Sequence, residues 1–139
     1  MKLLLLAALV AATQAGYTYY YLEVSTKDRL SADSDGYFYA LAFDYNGNMV
    51  EFGKMNNWLR NDFERGRTDK FRFYDTFDLG KISCLVIRAG SYSHDSWLIN
   101  HVHLTSTTDE VGVEGDNKDD VWLSGSTSEG KTAMMWCRD

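Results

Sequence analysis

Apolar side chains recur at every second position along much of this chain of 139 residues, which is the pattern of β-strands with one buried face. In the clearest case Tyr20, Leu22 and Val24 share one side of a strand, while Glu23 falls on the other. We predict further strands at Tyr37–Phe43, Met49–Phe52, Phe71–Phe73, Ile82–Ile87, Leu98–Leu104, Val121–Leu123 and Thr132–Cys137. Polar stretches separate them, and we expect the longest, Thr105–Asp120, to be a loop. Many short strands without a capped amphipathic helix predict an all-β antiparallel sandwich or barrel.

The first 15 residues differ from everything that follows. Lys2 precedes an apolar run, Leu3–Ala12, and the small residue Ala15 closes the segment. That run is too short to cross a bilayer, so we expect a removable secretory signal at 1–15 and not a transmembrane anchor. Cleavage would leave one mature domain over 16–139, and we expect that domain to be secreted and extracellular.

The formal net charge of −6 excludes some partners. Nucleic acid and anionic lipid both repel an acidic protein, so nucleic acid is not an expected partner. A bound cation could reverse that repulsion locally at a membrane surface.

The chain contains two cysteines, Cys84 and Cys137. In an oxidising compartment they could pair as a disulfide, closing a long loop and tethering the end of the chain. The alternative is that both are buried free thiols, because spacing alone gives no geometry.

Motifs of hydrolases, zinc proteases and nucleotide-binding loops are absent from the sequence, and we do not expect an enzyme. His101 and His103 share one predicted strand face, as two ligands of a zinc or copper site would. Since Val102 and Leu104 alternate with them, we favour a solvent-exposed face over a metal site.

Loops rich in Asp and Asn offer oxygen ligands of the kind that calcium prefers. An EF-hand is excluded, because a loop starting at Ser31 would have Ala42 at the position that requires glutamate. The alternative is that these residues only form turns. The candidate calcium ligands are Asp33, Asp35, Asp44, Asn46, Asn48 and Asp95.

Three large side chains fall outside the predicted strands, namely Trp58, Leu59 and Tyr92. They could form a tip that inserts at a membrane interface, where Trp and Tyr are favoured. Trp58 and Leu59 could equally fold back as a lid over one end of the sandwich.

Residues 61–71, NDFERGRTDKF, combine six charged residues with two phenylalanines. We interpret this stretch as a structural clip in which Phe63 packs inward and Gly66 permits a turn that other residues resist. Asp69 can bond nearby backbone groups, and Arg65 can pair with Glu64 or with loop carbonyls.

Four segments in order resemble the pattern of PLAT domains, also called LH2 or lipoxygenase homology domains. Residues 61–71 resemble N-x-F-E-R-G-x-T-D-x-F, and Trp97 opens a segment similar to W-x-L-D-x-V in which Asn100 replaces the Asp. The other two matching segments are Ser34–Phe43 and Asp78–Ile82.

The resemblance implies an eight-stranded antiparallel β-sandwich in which Trp97 has a structural role. It also implies a non-catalytic module that meets lipid surfaces or a lipid-associated partner, in several members through calcium held by loops at one end. Those loops correspond here to Asp33–Asp35, Asp44–Asn48 and the turn before Trp97. The alternative is an extracellular matrix or structural component that binds proteins with the same fold.

Overall fold

Eight strands form two antiparallel four-stranded sheets that face each other. The computed structural model describes residues 16–56, 62–90, 95–126 and 130–139. The first sheet has the order β4-β1-β6-β7 and the second has the order β3-β2-β5-β8. The strands are β1 (Thr18–Thr26), β2 (Phe38–Asp44), β3 (Met49–Lys54), β4 (Thr68–Asp75), β5 (Ile82–Ala89), β6 (Ile99–Ser106), β7 (Asp109–Asp116) and β8 (Ala133–Cys137). The predicted eight-stranded sandwich is confirmed.

The alternation in the sequence is the alternation of burial in the structure. In β1, Tyr20, Leu22 and Val24 are fully buried between the sheets, while Tyr21 and Glu23 are exposed on the outer face. No helix in the described ranges is long and apolar enough to cross a membrane.

The prediction of a loop over Thr105–Asp120 is wrong, because this stretch contains β7, which pairs with β6 at the edge of the first sheet. Two glycines and several acidic residues interrupt the apolar alternation of this strand, so the sequence pattern does not predict it. The predicted strand Val121–Leu123 is reduced to isolated bridges of Leu123 with Trp97 and Lys131.

Three aromatic rings fill one end of the core. The ring centroid of Trp97 lies 4.8 Å from that of Phe38 and 4.3 Å from that of Phe63. The indole N–H of Trp97 donates to Thr26 Oγ1 at 2.8 Å, so this fully buried ring leaves no polar atom unpaired.

Residues 62–67, which lie between β3 and β4, enclose this aromatic cluster. Phe63 is buried although its φ is +65°, and its N–H donates to the buried carboxylate of Asp69 at 2.9 Å. Gly66, with φ +72°, donates to the carbonyl of Thr26 at 3.1 Å. Arg65 pairs at 3.5 Å with Asp28, an ion pair that solvent screens because both side chains are largely exposed.

The two cysteines lie opposite each other on neighbouring strands. Cys84 of β5 pairs in register with Cys137 of β8, and their sulfur atoms are bonded. Of the two alternatives, the structure contains the disulfide. Arg138 follows and adds a second tether, since its guanidinium donates to Asp109 Oδ2 at 2.6 Å and to the carbonyl of Gly112.

Candidate functional site

Four connections gather at one end of the sandwich, which we call the loop end. Their described residues are 27–37, 55–56 with 62–67, 90 with 95–98, and 117–126 with 130–132. Backbone hydrogen bonds join them: Ser34 N–H donates to the carbonyl of Phe63 at 3.2 Å, and Leu98 N–H donates to that of Ala32 at 3.0 Å. The opposite end, with connections at 45–48, 76–81 and 107–108, is called the turn end.

An open cleft of about 170 Å³ lies at the loop end between the β1–β2 and β3–β4 connections. Phe63 lines it on one side while packing against Trp97 on the other, so the cleft rests directly on the aromatic core. The lining residues are Ser34, Asp35, Gly36, Tyr37, Lys54, Met55, Asn56, Asp62 and Phe63.

Two carboxylates line this cleft, and a third is bonded to its wall. Asp35 is exposed, whereas Asp62 is 9% exposed. Asp95 Oδ2 accepts a hydrogen bond from the backbone N–H of Asp35 at 2.8 Å, and the carbonyl of Asp95 accepts one from Ser34 Oγ at 2.9 Å. Asp33 lies in the same connection and is half-buried. The loops of Asp33, Asp35 and Asp95 are therefore brought together.

Lys54 gives the rim of the cleft a positive charge. Its ammonium lies 4.0 Å from the centroid of the Tyr37 ring, which is 52% exposed. The cleft thus presents acidic oxygens beside a cation held over an aromatic ring, an arrangement suited to a partner with both charges.

The other three candidate ligands lie at the turn end. Asp44 closes β2, and Asp35 precedes the same strand, so the length of that strand, about 20 Å, lies between them. Asp44 Oδ1 accepts from the N–H groups of Asn46 and Asn48 at 2.8 and 2.9 Å, and Oδ2 accepts from Asn48 Nδ2 at 2.7 Å. The Asn48 side chain, with these backbone groups, holds the pKa of Asp44 below its usual value. Both oxygens of this carboxylate therefore help to shape its own hairpin.

The predicted contact residues Trp58, Leu59 and Tyr92 lie outside the described residues.

His101 and His103 lie on the outer face of the first sheet, as predicted, with Val102 and Leu104 buried on the opposite face. His101 contacts Asp116 at 2.6 Å and Glu114 at 2.9 Å, one through each ring nitrogen. Burial lowers the pKa of His101, but these two carboxylates outweigh it and the net pKa is raised. Within the described ranges, no three acidic, histidine or cysteine side chains form a group that could hold a metal ion.

Among the cleft residues that sequence reasoning missed are Lys54, Asn56 and Asp62. Asp62 belongs to the stretch interpreted only as a clip. The signal was its position, because the β3–β4 connection must lie at the same end of an antiparallel sandwich as the β1–β2 connection.

Solved structures share this fold. The chain aligns with coral 8R-lipoxygenase, whose structure is described as showing calcium activation via a C2-like domain, with TM-score 0.70 and 22% identity over 86% of this chain and 16% of that one. A calcium-dependent 11R-lipoxygenase aligns with TM-score 0.58 and 18% identity over 86% of this chain and 17% of the other.

A human protein, lipoxygenase homology domain-containing protein 1, is 30% identical over 125 residues. That match covers 84% of this chain but only 6% of the relative, so the chain spans a small part of that protein's length. The model of the PLAT/LH2 domain family matches residues 20–136. The chain therefore belongs to the PLAT/LH2 domain family, whose domains are non-catalytic modules of lipid, membrane or protein interaction.

Proposed function

We propose that this chain is a binding module whose loop-end cleft meets a lipid or membrane surface, or a lipid-associated partner, with the help of calcium. The observation that carries the proposal is the pair of carboxylates, Asp35 and Asp62, that line one cleft, with Asp95 bonded to the same wall. The lipoxygenase structures described as calcium-activated and calcium-dependent support the calcium component.

The described residues of the cleft offer two carboxylates and one amide as oxygen donors for a hard cation, and not the three acidic side chains of a preformed metal group. Asp35 and Asp62 supply carboxylate oxygens, and Asn56 supplies an amide oxygen. Calcium takes six to eight oxygens, so backbone carbonyls and water would complete its shell. When bound, the ion would attract anionic headgroups that the acidic chain otherwise repels. We leave Asp44, Asn46 and Asn48 out of the proposed site, since their hairpin lies at the turn end.

Co-sedimentation with phosphatidylserine-containing vesicles tests this function. The purified chain should pellet with calcium and remain in solution with chelator, and Asp35→Asn and Asp62→Asn should each lose the calcium-dependent fraction. Asp44→Asn is the matched control, because it makes the same change at the other end of the sandwich and should pellet like the wild type. Negligible pelleting of the wild type in both conditions would rule out the membrane function.

A second candidate is an extracellular matrix or structural component that binds protein. The observation in its favour is a row of exposed tyrosines on the first sheet: Tyr17 lies 5.6 Å from Tyr74, and Arg72 lies over Tyr19 at 5.4 Å. Tyrosine and arginine are enriched at the centres of protein interfaces. Crosslinking in native secretions should then capture a stable partner that a Tyr19→Ala, Tyr74→Ala double variant does not retain.

We also propose that the chain is secreted. The apolar run after Lys2 and the disulfide support this, because disulfides persist in oxidising compartments. Expression in a secreting cell should release protein into the culture medium with Gly16 as its N-terminal residue. Retention of the full chain inside the cell would contradict the proposal.

A further inference from the structure

We propose that the outer face of the second sheet binds the same face of a second copy of this chain. One side of this sheet packs on the core through Ala40, Ala42, Leu85 and Ile87. The other side, which we call the apolar outer face, is also largely apolar. Its apolar members are Tyr39, Leu41, Phe43, Met49, Cys84, Val86, Met135 and Cys137, and its charged members are Glu51, Lys54 and Arg88 near its edges.

The register places these residues in continuous rows. Met49, Phe43, Cys84 and Cys137 form one row across all four strands, and Glu51, Leu41, Val86 and Met135 form the next. Met135 is 64% exposed and Met49 is 47% exposed. Strands of an antiparallel sandwich normally carry polar residues on the outer side, so an apolar row across every strand indicates a second covered face.

The first sheet provides the contrast. Charged and polar side chains interrupt its outer face on at least three of its four strands. They include Glu23 of β1, Lys70 and Arg72 of β4, and His101 of β6. The two outer faces therefore differ in chemistry although both belong to the same fold.

A second copy fits the apolar outer face because the face is complementary to itself. Glu51 and Arg88 lie on opposite sides of β2 and border one small hollow, of about 30 Å³, together with Tyr39 and Leu41. The Arg88 guanidinium stacks over Tyr39 at 4.7 Å. Neither charge has an ion-pair partner among the described residues.

The positions of these two charges suit a two-fold axis. From strand spacings and the two-residue repeat, Glu51 and Arg88 each lie about 7 Å from the centre of the face, between Leu41 and Val86. A two-fold axis through that centre can therefore set each charge opposite its counterpart in the other copy, giving two equivalent ion pairs. The strands of the two copies would then cross at roughly 70°, close to the orthogonal class of sheet packing.

Sedimentation velocity of the mature chain, from about 1 µM to about 500 µM, tests this dimer. The wild type should shift from monomer to dimer across the range, without covalent dimer on a non-reducing gel. Met135→Lys, at an exposed position, and Val86→Lys should each raise the dimer dissociation constant at least tenfold, with circular dichroism confirming that each variant is folded. Tyr21→Lys is the matched control on the outer face of the other sheet, and it should dimerise like the wild type.

A charge exchange tests the orientation. Glu51→Lys and Arg88→Glu should each weaken the homodimer, and an equimolar mixture of the two variants should recover part of the lost association. A wild type that stays monomeric throughout, a dimer that survives Met135→Lys and Val86→Lys, or a mixture no stronger than its components would each overturn the proposed interface.

Discussion

Asp69 provides the sharpest test of the clip between β3 and β4. Its side chain is fully buried, and Oδ2 accepts the N–H of Phe63 at 2.9 Å. That bond holds Phe63 at φ +65°, a backbone conformation that residues other than glycine rarely adopt. Replacing Asp69 by Ala should leave a buried N–H unpaired and release the strained residue that packs on Trp97.

The expected cost follows from these contacts. A hydrogen bond to a charged group contributes about 1.5–3 kcal/mol, and an orphaned buried donor adds to the loss, so we expect Asp69→Ala to lower the free energy of unfolding by about 3 kcal/mol. Asp69→Asn keeps an acceptor oxygen and the shape of the side chain, and should lose about half as much. At about 4 °C per kcal/mol for a domain of this size, the alanine variant should melt about 12 °C lower.

Urea denaturation at pH 7 measures this difference directly. Asp28→Ala is the matched control, since Asp28 is also an aspartate at the loop end that pairs with Arg65 but is 78% exposed, and it should cost less than about 0.5 kcal/mol. The clip does not depend on the Asp69 carboxylate if Asp69→Ala lowers the free energy of unfolding by less than about 1 kcal/mol. The same conclusion follows if Asp28→Ala lowers it by as much as Asp69→Ala does.

Three further predictions concern other parts of the sandwich. Replacing Cys84 and Cys137 together by Ser removes a crosslink between residues 53 apart, and thermal melting should show a loss of about 3–4 kcal/mol that reductant reproduces in the wild type. The raised pKa of His101 stabilises the fold below the ordinary histidine pKa, about 6.5, and that contribution should fade as pH rises through the raised folded value; urea midpoints of His101→Gln should lack this dependence. Gly112→Ala should prevent folding or cost more than about 3 kcal/mol, because a Cβ there would collide with the carbonyl of Leu104, whereas Gly47→Ala, also at positive φ but in open space, should cost about 1 kcal/mol in the same denaturation assay.

Alternation predicted most of the strands because each has one face on the core. It failed at β7, an edge strand in which Val113 is buried but Val111 is 75% exposed. Gly112, at φ +66°, also interrupts the pattern there. An edge strand needs fewer buried side chains than a central one, so its sequence carries a weaker signal.

The candidate site was predictable in its parts but not in its assembly. The acidic loops were identified, yet Asp35 and Asp44 flank a single strand, and the extended length of β2 alone requires them to lie at opposite ends. Asp62 was overlooked as a cleft residue because its neighbours in sequence are structural. Residues 39–43 of β2 are apolar at every position in the sequence, but only the register shows that the apolar surface continues onto Met49 and Met135.

Phe63 is shared between the core and the cleft, and this limits how the module can diversify. Its ring contacts Phe38 and Trp97, while the same residue lines the cleft. A change of ligand through substitution at Phe63 would destabilise the fold, so new binding preferences must arise first at peripheral positions such as Lys54 and Asn56. Related domains can therefore change their ligand through substitutions at the rim of the cleft while Phe63 stays the same.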